Sequence, residues 1–351
     1  MLETIWFALW GILWAVYFAL DGFDLGIGTL APFLAKNEDE SRSIYNSMGP
    51  YWNGNEVWLI TAGGVTFAAF PKTYAVMFSS LYSALLLILF CLIVRGVAME
   101  FRSRFASGGW KKFWDLMLWI GTFGPALLFG VAFANLFRGI LIDGSGVYQG
   151  TLFSLLNPYG LAGGVLFVLI FAVHGALWLV LQSGGDLRRR TEMLAGKLWF
   201  ALAVVAVLFL LATYFATGLY NNYLRAPVLF IIPLAAVGAL IGTFVFIRGA
   251  QWLKAWYCSA VFIVMVTLFG VTGMYPNLLI SSIDPSYSLS AFNSSSSPLT
   301  LKIMLAVALV FVPVVIIYQA WVYKFFGVKT DGVTVAHSTG GVATKRAGRG
   351  I

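Results

Sequence analysis

Tyr51-Trp52-Asn53-Gly54-Asn55-Glu56-Val57-Trp58 runs directly into the apolar segment Leu59-Ile60-Thr61-Ala62-Gly63-Gly64. An acid, two amides and two indoles thus stand at the doorstep of what reads as a membrane-spanning helix. Polar groups in that position are costly unless they are used or paired. Whether such a segment can be a span at all decides the fold, and the rest of the chain answers the question. Of 351 residues 60% are hydrophobic and 10% charged, with a mean hydropathy of +0.87. That leaves too little polar surface to wrap a water-soluble core, so the chain reads as an all-α polytopic membrane protein.

Apolar runs of roughly 20 residues, the length needed to cross a bilayer, recur nine times between polar breaks. They cover approximately residues 5–34, 52–70, 73–97, 114–137, 158–181, 194–217, 227–247, 255–280 and 299–326. The second ends at Pro71-Lys72, with room only for a tight turn, so the second and third are expected to be antiparallel neighbours. Helix starts are marked by Asn157-Pro158, Ala226-Pro227 and Ser297-Pro298, because proline fits the first turn, where its missing N–H would be unpaired anyway. Internal Pro125, Pro233, Pro276 and Pro313 are expected to kink their spans. The N-terminal apolar run lacks a basic flank and a small-residue cleavage site, and reads as a retained span.

Net charge is +8, yet the basic residues punctuate apolar runs instead of forming a face, so nucleic acid is not an expected partner. Sorting Lys and Arg into alternate loops puts eighteen of the 22 on one side. Only Lys72, Arg138, Arg225 and Lys302 fall on the other, which places the N-terminus outside and the C-terminus in the cytoplasm. Arg188-Arg189-Arg190 is explained by the same orientation signal. Cys91 and Cys258 are too few for a disulfide framework and read as free thiols. Residues 1–329 form the transmembrane domain, and the Gly, Thr and Ala rich tail, 330–351, is expected to be disordered.

Counting inward at about 1.5 Å per residue, Asp21 and Asp24 fall in the cytoplasmic half of the first span. Three residues apart, they share a helix face, and Gly22 and Gly26 beside them have the spacing that permits close helix contact. Glu56 enters from the cytoplasm to a comparable depth, and Arg95 closes the third span on that side. Three carboxylates and an arginine therefore converge on one membrane level. On a structural reading, Arg95 neutralises a carboxylate and the cluster pins three helices. A functional reading makes the cluster a proton entry path. Asn53-x-x-Glu56 also has the form of a capping box. His174 is the single histidine in the spans, too few for a multi-histidine metal site, and is expected to make an interhelical hydrogen bond. No metal site is expected.

Asp21-Gly22-Phe23-Asp24-Leu25-Gly26-Ile27-Gly28, followed by Trp52 through Gly64, closely resembles subunit II of the cytochrome bd-type quinol oxidases. Gly130-Val131-Ala132-Phe133-Ala134-Asn135-Leu136 and Leu155-Leu156-Asn157-Pro158-Tyr159-Gly160-Leu161 are similar to the same family in the same order. The resemblance implies a bacterial terminal oxidase of the cytoplasmic membrane that oxidises membrane quinol and reduces dioxygen to water. It implies two four-helix bundles plus one peripheral helix, haems carried by a partner subunit I, and a capacity to hold quinone. A small single-span subunit can accompany the pair, and quinone and membrane lipid are the remaining partners. By position, Asp21 and Asp24 match the family's first-helix acids, Trp58 a tryptophan near the proposed oxygen route, and Arg95 an arginine after the third helix. Some members carry an acid of the proton path where this chain has Asn53. Asn53 cannot titrate, and Glu56, one turn along, is the expected substitute.

The leading reading is therefore the second subunit of a quinol:dioxygen oxidoreductase. A proton-coupled secondary transporter, which also has many spans and intramembrane acids, is the alternative from another class. A pure assembly scaffold is the third.

Overall fold

The computed structural model of the chain describes residues 1–326. The tail expected to be disordered, 330–351, lies outside the described residues. Twelve α-helices follow one another: α1 (Leu2–Leu34), α2 (Glu38–Met48), α3 (Trp52–Ala69), α4 (Pro71–Ser80), α5 (Tyr82–Phe101), α6 (Gly108–Arg138), α7 (Pro158–Gln182), α8 (Gly185–Ala216), α9 (Tyr220–Arg225), α10 (Ile231–Arg248), α11 (Trp252–Met274) and α12 (Pro298–Phe326). Between α11 and α12 a short antiparallel pair, β1 (Asn277–Leu279) and β2 (Leu289–Ser290), closes the loop that carries the Ser and Asn run.

Eight helices among the described residues are long and apolar enough to cross a membrane. α3 is not one of the eight, because Asn53, Asn55 and Glu56 dilute the hydropathy of its 18 residues. α1 stands at the centre and packs on α3, α6, α7 and α11. Apart from Asp21 and Asp24, its buried residues are apolar or small, as a helix buried on most sides requires. Close approach to α7 depends on glycine: a Cβ at Gly26 would lie 1.8 Å from the Phe171 carbonyl oxygen, and one at Gly175 would lie 2.5 Å from the Ile27 nitrogen. The interface beyond is filled by rings, with Phe18 edge-on to Phe129, Phe133 and Phe167 at centroid separations of 5.6, 5.1 and 5.2 Å. Such edge contacts add to the area that the rings bury. α8, α10 and α12 remain largely exposed, and in α12 only Leu301 is buried.

Several boundaries differ from the sequence expectation for identifiable reasons. α6 and α8 begin at Gly108 and Gly185, well before their apolar runs, because Lys, Arg and Glu are good helix formers and carry a helix past the bilayer. The third span is two helices, broken at Leu81. Pro125 and Pro313 do lie inside helices. Pro233 instead occupies the first turn of α10, and Pro276 lies beyond the last residue of α11, so neither interrupts a helix. Asn157 caps α7 by accepting from the Gly160 N–H. The capping box expected at Asn53 and Glu56 is absent, since α3 starts one residue after Tyr51 and has no side-chain cap.

α2 had no hydrophobic run to announce it. Asn37 caps it, three acids fill its first turn, and only Ile44, Ser47 and Met48 are buried. Its hold on the bundle is ionic. Glu38 accepts from both terminal nitrogens of Arg102 at 3.1 Å and from Lys111 at 2.8 Å, while Glu40 accepts from Arg190 at 2.6 Å. Arg190 thus has a partner within the chain, as does Arg188, which pairs with Glu192 at 2.9 Å.

Candidate functional site

The expected convergence of Asp21, Asp24, Glu56 and Arg95 is present in the fold, at the ends of α1, α3 and α5 that lie towards α2. The start of α3 and the end of α5 meet there: the Trp52 indole rests 3.3 Å from the Cβ position of Gly96. α5 is pressed in from behind by α6, where a Cβ at Gly121 would come within 2.6 Å of the Arg95 nitrogen. Arg95 is therefore 1% exposed, and its two terminal nitrogens donate to the two oxygens of Asp21, each at 3.0 Å. One of them also donates to Glu56. Two parallel N–H···O bonds match the flat fork of the guanidinium to the carboxylate and fix both side chains.

Asp21 and Asp24 are fully buried, whereas the Glu56 side chain is 23% exposed. Glu56 is thus the member of the cluster that faces out of the chain. Asp24 does not reach Arg95. It accepts from the Asn55 amide at 2.7 Å through Oδ2, and its buried Oδ1 has no partner among the described residues. One guanidinium is set against three carboxylates here, and the carboxylate left over is held by a neutral amide.

Asn53, the position carried over from the family's proton-path acid, is exposed at the first turn of α3 and is not brought into the cluster. The amide that does enter is Asn55, which is fully buried. Its Nδ2 donates to the Leu20 carbonyl at 3.0 Å as well as to Asp24, and its Oδ1 accepts from Gln319 and Tyr323 of α12, both at 3.0 Å. Trp58 is buried one turn along and donates through its indole nitrogen to Gln319 at 2.6 Å. Sequence reading missed Gln319 and Tyr323. The signal was there: Gln319 is the one amide in the α12 sequence, and an amide in a span asks for a partner.

Trp58 also lines an apolar cleft of about 1200 Å³ between α12 and the bundle, together with Trp6, Leu13, Trp178, Trp256 and Phe311. His174 lies nearby and makes the interhelical bonds expected of it, with Nδ1 2.6 Å from the Ser259 hydroxyl and Nε2 3.0 Å from the Ala19 carbonyl. Both ring nitrogens are engaged within the chain, so the residue is not arranged as a haem ligand. Among the described residues no group of three or more His, Cys, Asp or Glu side chains is placed to hold a metal ion. Cys91 and Cys258 are unpaired.

The family model described as cytochrome bd terminal oxidase subunit II matches residues 2–326, the whole helical body. The chain belongs to that family. Curated relatives agree. It is 35% identical over 359 residues to cytochrome bd-I ubiquinol oxidase subunit 2 of Escherichia coli strain K12, covering 93% of this chain and 95% of that one. It is 33% identical over 327 residues to cytochrome bd ubiquinol oxidase subunit 2 of Bacillus subtilis strain 168, covering 93% and 96%. In fold it is similar to a chain of the bd oxidase from Geobacillus thermodenitrificans, with a TM-score of 0.69 at 16% identity, covering 92% of this chain and 98% of the other. A terminal oxidase subunit II is a component of a respiratory enzyme of the bacterial membrane, and the transporter reading falls on the family match.

Proposed function

We propose that this chain is the second subunit of a quinol:dioxygen oxidoreductase in which it steadies a haem-bearing subunit I and admits protons from the cytoplasm. Haems held by the partner supply the oxygen chemistry. This chain contributes binding surface and titratable groups. The observation that carries the proton reading is the unequal treatment of the three acids. Arg95 clamps Asp21 and Glu56, and Asp24 is left with an amide and one buried oxygen that has no partner among the described residues.

Glu56, the exposed member, is the point of entry, and Arg95 passes its influence to Asp21 through the one nitrogen the two carboxylates share. The fully buried Asp24 is the inner group at which a proton is held and handed on. Buried carboxylates without a cation are tolerated in spans where they exchange protons. Asn53 stands at the exposed start of α3, outside the cluster, and contributes to the path only at its mouth. Trp58 and the apolar cleft it lines form the oxygen route, and the same cleft has the volume and apolar walls for a quinone tail.

Helix packing supports two four-helix bundles. α1, α3, α4 with α5, and α6 make the first, and α7, α8, α10 and α11 the second; α12 is peripheral. Counting α3 as a span despite its polar start gives nine, with the N-terminus outside. At 18 residues, or about 27 Å, it is long enough to cross most of the hydrocarbon core. A small single-span subunit would find room against the exposed faces of α8, α10 or α12.

The test is Glu56→Gln, which leaves Arg95 paired with Asp21, in the purified complex, reconstituted so that proton uptake from the cytoplasmic side is measured alongside quinol oxidation. Turnover should fall by about a hundredfold or more, the range over which a positioned proton carrier contributes, with haem content intact because Arg95 keeps its two bonds to Asp21. Normal turnover would sink the proton path and leave the assembly role.

A further inference from the structure

The hydrogen bonds from α12 to Asp24 have a direction, and it can be worked out from chemistry alone. An amide can be turned either way on geometric grounds, so its orientation must come from its partners. The indole of Trp58 is a donor only, and the Gln319 atom 2.6 Å from it must therefore be the oxygen. Gln319 is then bound to offer its NH2 group to Asn55 at 3.0 Å, so the Asn55 atom there is its oxygen. The Tyr323 hydroxyl donates to that same oxygen at 3.0 Å. What remains of Asn55 is its NH2 group, whose two hydrogens go to Leu20 O at 3.0 Å and to Asp24 Oδ2 at 2.7 Å. The far end gives an independent check. Leu20 offers a carbonyl, an acceptor only, so the Asn55 atom facing it has to be the nitrogen. Both ends demand the same orientation.

We infer that Trp58, Gln319 and Asn55 are positioning residues, a one-way hydrogen-bond relay that commits Asp24 Oδ2 to accepting and leaves Oδ1 as the oxygen that carries the proton. A proton on Oδ2 would make that oxygen a hydroxyl, a poorer acceptor for the Asn55 N–H than a carboxylate or carbonyl oxygen, and in a buried site the weakening of that bond is not made up by water. Oδ1, with no partner among the described residues, has no such conflict. The inference rests on the reading of Asp24 as a proton-exchanging group. It also gives Trp58 a second duty beside the cleft, and it explains why α12, otherwise scarcely buried, sends two polar side chains to this one amide. The charged and titratable groups acting on Asp24 are Asp21 on its own helix, Tyr51 and Glu56 of the α3 segment, Arg95 of α5 and Tyr323 of α12. None of them sits between Asn55 and Oδ2.

The experiment uses the assembled oxidase, with Trp58→Phe to remove the directing donor and Gln319→Met to remove the amide at nearly constant volume. Two readouts are followed: the infrared C=O band of the protonated carboxyl that disappears in Asp24→Asn, and the pH profile of turnover. Each relay variant should shift that band and move the pH profile. Each should lower proton-limited turnover by about tenfold, the worth of a hydrogen bond to a charged group. Trp58→Phe combined with Gln319→Met should be no worse than Gln319→Met, because a relay broken once is broken. If Asp24→Asn removes the band and slows turnover while both relay variants keep the parent's band and pH profile, the relay is overturned and the proton role of Asp24 stands. If Asp24→Asn itself changes neither readout, the underlying proton reading fails and takes the relay with it.

Discussion

Arg95 ties α5 to α1 and α3 from inside the bundle. Its two terminal nitrogens serve two carboxylates from two other helices, and Arg95 and Asp21, at 1% and 0% exposure, cannot be compensated by bulk water. Removing one member of a buried pair costs about 3–5 kcal/mol, because the partner is left charged and alone. Arg95→Met should therefore abolish assembled oxidase, measured as haem absorbance in membranes. The neutral set Arg95→Met, Asp21→Asn and Glu56→Gln leaves no orphaned charge and should recover assembly without recovering turnover. Recovery of both would mean that the cluster is purely structural. The four residues of this cluster were legible in the sequence, since acids and an arginine in apolar runs stand out and their depths could be counted. Asn55 was not, because it and Asn53 are chemically identical and two positions apart. Helix phase alone separates them: Asn55 faces α1, and Asn53 faces out.

Among the elements, α2 is the one that pattern reading could not supply. With eleven polar-rich residues it has no apolar stripe of span length, and its place depends on ions contributed from α6, α8 and the turn after α5. Glu38 records the strength of that hold, since hydrogen bonds from Arg102, aided by Lys111, lower its pKa from 4.5 to about 2. A carboxyl with a depressed folded-state pKa stabilises the docked helix fully above the unfolded value, and the contribution fades as pH falls towards the folded value. Hydrogen-exchange protection of residues 38–48 should accordingly be constant above about pH 4.5 and decline from there towards pH 2. Glu38→Gln should lower protection at neutral pH and flatten that decline. A pH dependence unchanged by Glu38→Gln would mean that Glu38 contributes nothing to holding α2. Helix ends were the other element-scale surprise. α6 and α8 run on past the bilayer because charge ends an apolar run without ending a helix.

At the scale of the whole molecule, one crowded centre and several bare flanks define what the chain can do. α1 and α7 are buried on nearly all sides, whereas α8, α10 and α12 present apolar faces suited to lipid or another subunit. Haem chemistry has no foothold at His174, whose two nitrogens tie α7 to α11 and α1. His174→Gln should leave the haem absorbance per assembled complex unchanged while lowering thermal stability. A lost haem band would overturn the assignment of the haems to the partner.

Composition and spacing by themselves determined that this is a helical membrane protein, where its apolar runs lie, and which acids come together. Those properties follow from hydropathy and helical rise, which act locally along the chain. Family membership was legible too, because the Asp21 to Gly28 and Trp52 to Gly64 motifs are long. Tertiary structure alone decided which amide turns inward and how Arg95 divides itself between Asp21 and Glu56. It also decided that Gln319 and Tyr323, more than 260 residues along the chain, complete the site around Asn55. Contacts of that separation are set by how helices pack around α1, and no local pattern encodes them.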